Sequence, residues 1–201
     1  MVVEVWYVAY GSNMSGARLG RYLAKCRDRR APRESRAVVL PGAVYFATES
    51  GVWGGGRAFY DPGADGAVWA RAHLLTAGQF ADIAAQEMYR EAGADGEWDL
   101  ARVTARGRAA FGPGRYETVV CAGELDGLPL LTLTAPWAMD EVEHLAPSEA
   151  YLRTIVTGLR EAGAWSAGEI AGYLATRPGA AGRWSAEAIL GIAPTPSSEP
   201  G

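Results

Sequence analysis

Residues 38–75 read VVLPGAVYFATESGVWGGGRAFYDPGADGAVWARAHLL. Four apolar runs, Val38–Leu40, Val44–Phe46, Arg57–Tyr60 and Val68–Leu75, alternate with turns at Pro41-Gly42, Gly54-Gly55-Gly56 and Asp61–Gly66. Short runs rich in β-branched and aromatic residues, bounded by Gly and Pro, read as strands. No helical segment separates them, so regular βαβ alternation is absent and the pattern predicts an α+β fold.

The flanking sequence supports that reading. Upstream, Val2–Tyr10 reads as a buried strand that stops at Gly11-Ser12-Asn13. Ser15 can then cap a helix to about Arg29, with Leu19, Tyr22, Leu23 and Cys26 as its apolar stripe. Downstream, a helix is predicted from about Ala77 to Glu91, followed by strands at Leu100–Thr104, Glu117–Ala122 and Leu130–Leu133. The last two strands flank the turn Leu125-Asp126-Gly127. Ser148 caps a helix whose face carries Tyr151, Leu152, Ile155, Val156 and Leu159. Ser166 and Glu169 form a capping box for one more helix, to about Ala175. The expected architecture is a small mixed or mostly antiparallel barrel-like sheet flanked by helices. Residues 1–165 form its body, 166–193 a helical extension of the same domain, and Pro194–Gly201 a disordered, polar tail.

Composition narrows the class. Of 201 residues 49% are hydrophobic, the formal net charge is −4, and 26 are glycine. That is about 13% glycine against a usual ~7%, and it implies many turns and close backbone approaches. No run of ~18 apolar residues exists, so no membrane-spanning segment is expected. Met1-Val2-Val3-Glu4 lacks a basic signal region, and Cys26 and Cys121 stand far apart, which together suggest a cytoplasmic protein with free thiols. Only His73 and His144 are available as histidine ligands, which leaves little room for a histidine-built metal centre. Both histidines read as structural.

Two local features carry chemistry. The strand–turn–helix junction Tyr10-Gly11-Ser12-Asn13 presents backbone N–H groups that could bind a carboxylate or an oxyanion, or it could be an ordinary junction. It lacks the spacing of a nucleophile elbow or a Walker loop. The second feature is Glu87. Phe80, Ile83 and Ala84 set a stripe whose next turn falls on Glu87 and Met88. An inward carboxylate is costly unless paired or functional, and burial would raise its pKa toward the range of a general acid/base. Its alternative is an exposed position beside Arg90. Gly54-Gly55-Gly56 reads as a plain turn. The basic run from Arg18 to Arg36, offset locally only by Asp28 and Glu34, reads as a solvated surface with no nucleic-acid partner.

In order and spacing these pieces resemble the γ-glutamylcyclotransferase-like family. The resemblance spans about Tyr7 to Gly163. It rests on Tyr10-Gly11-Ser12-Asn13 with Ser15 and Leu19; on Trp53-Gly54-Gly55-Gly56 with Ala58; on Gly66, Val68 and Trp69; on Gln86-Glu87; and on Pro147-Ser148-Glu149-Ala150-Tyr151-Leu152 with Ile155, Gly158 and Glu161. Met88 and Ala70 depart from the family, which often has Gly at both places. The resemblance implies cofactor-independent release of an amine and 5-oxoproline from a γ-glutamyl amide. Glu87 would be the general acid/base, and Tyr10, Gly11, Ser12 and Asn13 the substrate-binding loop. The leaving amine could belong to a peptide or to a biosynthetic, antibiotic-type intermediate. The alternative is a non-catalytic binding protein on the same fold. The segment after Ser166 could cover the site or form an interface, with a homodimer as the oligomeric option.

Overall fold

The computed structural model describes residues 3–93 and 98–192. It shows an α+β architecture with strands β1 (Glu4–Ala9), β2 (Ser35–Pro41), β3 (Ala43–Glu49), β4 (Gly56–Asp61), β5 (Ala67–Thr76), β6 (Arg108–Ala110), β7 (Thr118–Leu125) and β8 (Leu128–Thr134). Helices are α1 (Gly16–Leu23), α2 (Ala77–Glu87), α3 (Leu100–Arg106), α4 (Glu149–Ala162), α5 (Ala167–Ala175) and α6 (Ala186–Ile192). The tail expected from Pro194 lies outside the described residues.

Six strands form one sheet in the order β2-β5-β1-β8-β7-β6, and β3 and β4 form a separate hairpin. β1 runs antiparallel to β5 and parallel to β8, which makes the sheet mixed. The backbone ladder does not close into a barrel. Instead side chains join hairpin to sheet: the Thr134 hydroxyl accepts from Tyr60 N at 3.1 Å and donates to Tyr60 O at 2.6 Å, and the Tyr60 hydroxyl donates to Pro41 O at 2.8 Å. Trp6, Phe46, Tyr60 and Phe80 are buried in the main core, while Tyr45 and Phe59 pack in a second cluster under the hairpin.

Several boundaries depart from the sequence expectation, each for a local reason. The first helix stops at Leu23 rather than Arg29. The Lys25 and Cys26 N–H groups bond three residues back, and the buried Asp82 carboxylate takes the Arg27 N–H at 2.9 Å. Ser15 flanks the helix without a side-chain cap. The second helix ends at Glu87 because Tyr89 turns left-handed, at φ 59°. Leu100–Thr104 is helical, not extended. Asp99 caps it by accepting from Arg102 N at 3.0 Å, and Gly107 ends it at φ 73°. Strand β6 and helix α6 have no counterpart in the sequence reading.

The basic run is also less isolated than its local sequence implies. Arg27 pairs with Asp82 at 2.8 Å, Arg33 with Glu4 at 2.7 Å and Arg36 with Asp126 at 2.7 Å. Carboxylates distant in the chain therefore offset it, in addition to Asp28 and Glu34.

Gly54 and Gly55 both sit at φ 68°, and a Cβ at Gly55 would lie 3.1 Å from Ser148 N. The triple glycine thus lets one turn meet the backbone entering α4, as its plain-turn reading requires. α4 in turn lies directly on the loop after β1. A Cβ at Gly158 would press on Met14 Cβ and come within 2.6 Å of Met14 C and Ser15 N. The Gly158→Ala variant should therefore lose about 1–3 kcal/mol through overpacking. That outweighs the ~1 kcal/mol of helix propensity alanine brings, because the obstacle is backbone. Denaturant unfolding checks this; an unchanged or higher midpoint would show that the loop gives way freely.

Candidate functional site

The loop that follows β1 winds through one turn of 3-10 helix at Ser12–Met14 before α1 begins. Tyr10 and Asn13 are buried, and Gly11 and Ser12 half-buried. Tyr10 is held by its hydroxyl, which donates to Leu133 O at 2.7 Å. A Cβ at Gly11 would come within 3.0 Å of the Tyr151 hydroxyl, so glycine permits that close approach. Tyr151 itself comes from α4, accepts from Ala58 N at 3.2 Å, and has its pKa pushed up to about 12 by burial.

Glu87 is the last residue of α2, where the chain leaves the helix beside this loop. Asn13 Nδ2 donates to Glu87 Oε1 at 2.9 Å and to the Tyr7 hydroxyl at 3.0 Å. The Tyr22 hydroxyl, from α1, also hydrogen-bonds the Glu87 carboxylate. Glu87 is half-buried, with its remaining surface toward a cavity of about 110 Å³. Desolvation raises its pKa above the ordinary 4.5. The hydrogen bonds from Tyr22 and Asn13 and the charges of Arg18 and Arg115 oppose the rise, and desolvation prevails. This satisfies the inward placement read from the helical stripe; an exposed position beside Arg90 is not what the chain adopts. Arg90 instead pairs with Glu117.

The Tyr10–Asn13 loop and Glu87 thus line one cavity. Sequence reasoning missed other members of the same wall: Tyr7, Tyr22, Tyr151 and the guanidinium-bearing Arg18, Arg57 and Arg115. Tyr22 was hidden because its spacing fits an apolar stripe, and Arg18 because it belongs to a basic run. Arg57 and Arg115 carry no local signal. His73 lies apart, buried in β5 with Nδ1 2.8 Å from Ser35 Oγ, and burial lowers its pKa to about 3. Among the described residues no group of three His, Cys, Asp or Glu is placed to hold a metal ion, and no helix is long and apolar enough to cross a membrane.

No family model matches the chain. Histone deacetylase 5 of Arabidopsis thaliana is 30% identical over 202 aligned residues, which cover 86% of this chain and 30% of that protein. The chain therefore spans less than a third of that relative's length. Among solved structures, a γ-glutamyl cyclotransferase superposes with a TM-score of 0.50 and 18% identity, over 94% of this chain and 97% of its own. An uncharacterized human protein gives 0.49 and 17%, over 80% and 81% of the two chains. The cyclotransferase likeness establishes a shared α+β fold.

The burial of Glu87 affects stability. A carboxylate whose pKa is raised on folding favours the folded state below its unfolded pKa. That contribution is lost as pH climbs through the folded value. Glu87→Gln removes the titration, so its stability relative to wild type should improve steadily as pH rises from below 4.5 to neutrality. Paired denaturation curves at pH 4 and pH 7 check the sign. A constant difference between the two proteins would show that Glu87 ionises as freely folded as unfolded.

Proposed function

We propose that this protein is a γ-glutamylcyclotransferase-type enzyme that releases an amine and 5-oxoproline from a γ-glutamyl amide. The observation that carries this reading is the Glu87 carboxylate, bridged to Asn13 Nδ2 at 2.9 Å within the cavity that the Tyr10–Asn13 loop walls. A raised pKa suits a group that must both take and return a proton near neutrality.

The reaction needs little from outside. The substrate's α-amine, once it has passed its extra proton to Glu87, attacks the γ-carbonyl carbon. A new C–N bond closes the five-membered ring. Glu87 then returns that proton to the amide nitrogen as the old C–N bond breaks, and the second hydrogen that the ring nitrogen must shed passes to the same departing nitrogen, so the products are a neutral lactam and an ammonium, and atoms and charge balance without water. Because attack is intramolecular, the cavity's task is to hold the chain folded in the reactive geometry. Backbone N–H groups of the Gly11–Asn13 turn are the donors for the developing oxyanion. Asn13 Oδ1, buried and unpartnered, is the acceptor for the incoming ammonium. The fold shared with a solved γ-glutamyl cyclotransferase supports the same reading.

Replacing Glu87 with Gln preserves shape and removes the proton acceptor. With a γ-glutamyl amide that wild type cyclises, kcat for 5-oxoproline release should fall at least about a hundredfold. Binding should survive. A variant that keeps most of its rate would rule out Glu87 as the proton carrier.

A further inference from the structure

The cavity is strongly unbalanced in charge. Arg18, Arg57 and Arg115 line it, and among the described residues Glu87 is its single carboxylate. None of the three arginines forms an ion pair among the described residues; their polar contacts are to neutral groups. Arg18 Nη2 reaches the Tyr22 hydroxyl at 3.4 Å, Arg57 Nη2 donates to Glu49 O, and Arg115 Nη2 donates to Glu87 O at 3.2 Å. The Nε of each is buried and unpartnered. Each is nevertheless held. The Arg18 guanidinium lies 5.1 Å from the ring centroids of both Tyr22 and Trp53, and Arg115 lies 4.8 Å over Tyr89. Fixed cations with unsatisfied buried donors are set to receive an anion, since each unpaired donor has a desolvation cost that a ligand oxygen would remove.

A second concave surface continues outward from this cavity and shares Arg18, Tyr22, Gln86 and Tyr89 with it. Among the described residues its wall adds Arg21, Lys25, Arg27, Arg29 and Arg90 against one acid, Glu91. Arg27 and Arg90 are committed to Asp82 and Glu117. Arg21, Lys25 and Arg29 are exposed and form no ion pair among the described residues. A positive track thus runs from the Glu87 carboxylate to the surface.

A γ-glutamyl group supplies one α-carboxylate and one α-ammonium, which use one arginine and Glu87. Two cavity arginines and the outer track then face the leaving part of the substrate. Resting on the cyclisation reading, we infer that the leaving amine carries two or more negative charges, as in an acidic amino acid or an acidic peptide. Arg18 and Arg115 select it in the cavity, and Arg21, Lys25 and Arg29 do so at its exit.

The test compares 5-oxoproline release from γ-glutamyl methylamide, γ-glutamyl-alanine and γ-glutamyl-glutamate, whose leaving parts carry zero, one and two carboxylates. kcat/KM should rise about tenfold per carboxylate at low salt, and the advantage should shrink as salt screens the outer charges. In an Arg21→Gln, Lys25→Gln, Arg29→Gln triple variant, with its melting checked, the ratio of glutamate to alanine substrate should fall toward one. Calorimetric binding of the methylamide and of γ-glutamyl-glutamate to the Glu87→Gln protein gives a readout independent of turnover. Equal kcat/KM across the series would overturn this inference and leave cyclisation standing. Selective binding of the dicarboxylate without turnover of any compound would overturn cyclisation and support the anion track. Neither binding nor turnover would overturn both. Micromolar binding of a labelled duplex with a steep salt slope would assign the track to nucleic acid instead.

Discussion

The Asn13 side-chain amide spends its two hydrogens on two different elements. One goes to the Tyr7 hydroxyl on β1, at 3.0 Å, and the other to Glu87 at the end of α2, at 2.9 Å. Strand, loop and helix end are thereby tied at a single nitrogen, in a place where water is largely excluded. A hydrogen bond to a charged group contributes roughly 1.5–3 kcal/mol, about twice a neutral one, and losing it would leave a half-buried carboxylate short of a donor. The loop can hold this geometry because it is pressed from the far side. Gly158 lets the α4 backbone reach Met14 and Ser15, and Gly11 admits the Tyr151 hydroxyl.

The electrostatics of the cavity are a contest between burial and charge. Desolvation pushes the Glu87 pKa up, whereas Tyr22, Asn13, Arg18 and Arg115 favour the anion and pull it down. Desolvation prevails, so the pKa lies above the ordinary carboxylate value, and the opposing contributions limit the rise. The surrounding tyrosines are different. Tyr7 and Tyr22 have pKa values raised by burial and by the nearby Glu87 charge, so they remain neutral donors and acceptors. Among the described residues, the cavity thus sets one titrating carboxylate amid fixed hydroxyls and guanidiniums.

Much of this was legible in the one-dimensional pattern. Gly-bounded apolar runs marked β2 to β5, Ser148 and Ser166 marked the caps of α4 and α5, and the α2 stripe pointed Glu87 inward. Each of these signals is local, set by turn chemistry, capping or periodicity over a few residues. Where reading failed, a distant group or a competing local signal was responsible. Asp82, over fifty positions away, captured the Arg27 N–H and shortened α1. At Leu100–Thr104 the apolar alternation was outweighed by the Asp99 cap and the left-handed Gly107, a signal present in the chain but not used.

The arginine set shows the division most clearly. Residue identity alone determined that Arg18, Arg57 and Arg115 are cations at any ordinary pH, and that the chain has carboxylates to spare. Only tertiary structure decided that these three would share a wall with Glu87 and, among the described residues, with no other acid. Arg18 arrives on α1, Arg57 on the β3–β4 hairpin and Arg115 on the turn before β7. No sequence spacing relates them. Their meeting depends on how the hairpin docks through Thr134 and how α1 packs beside α2, and such non-local packing leaves no periodic trace in the sequence.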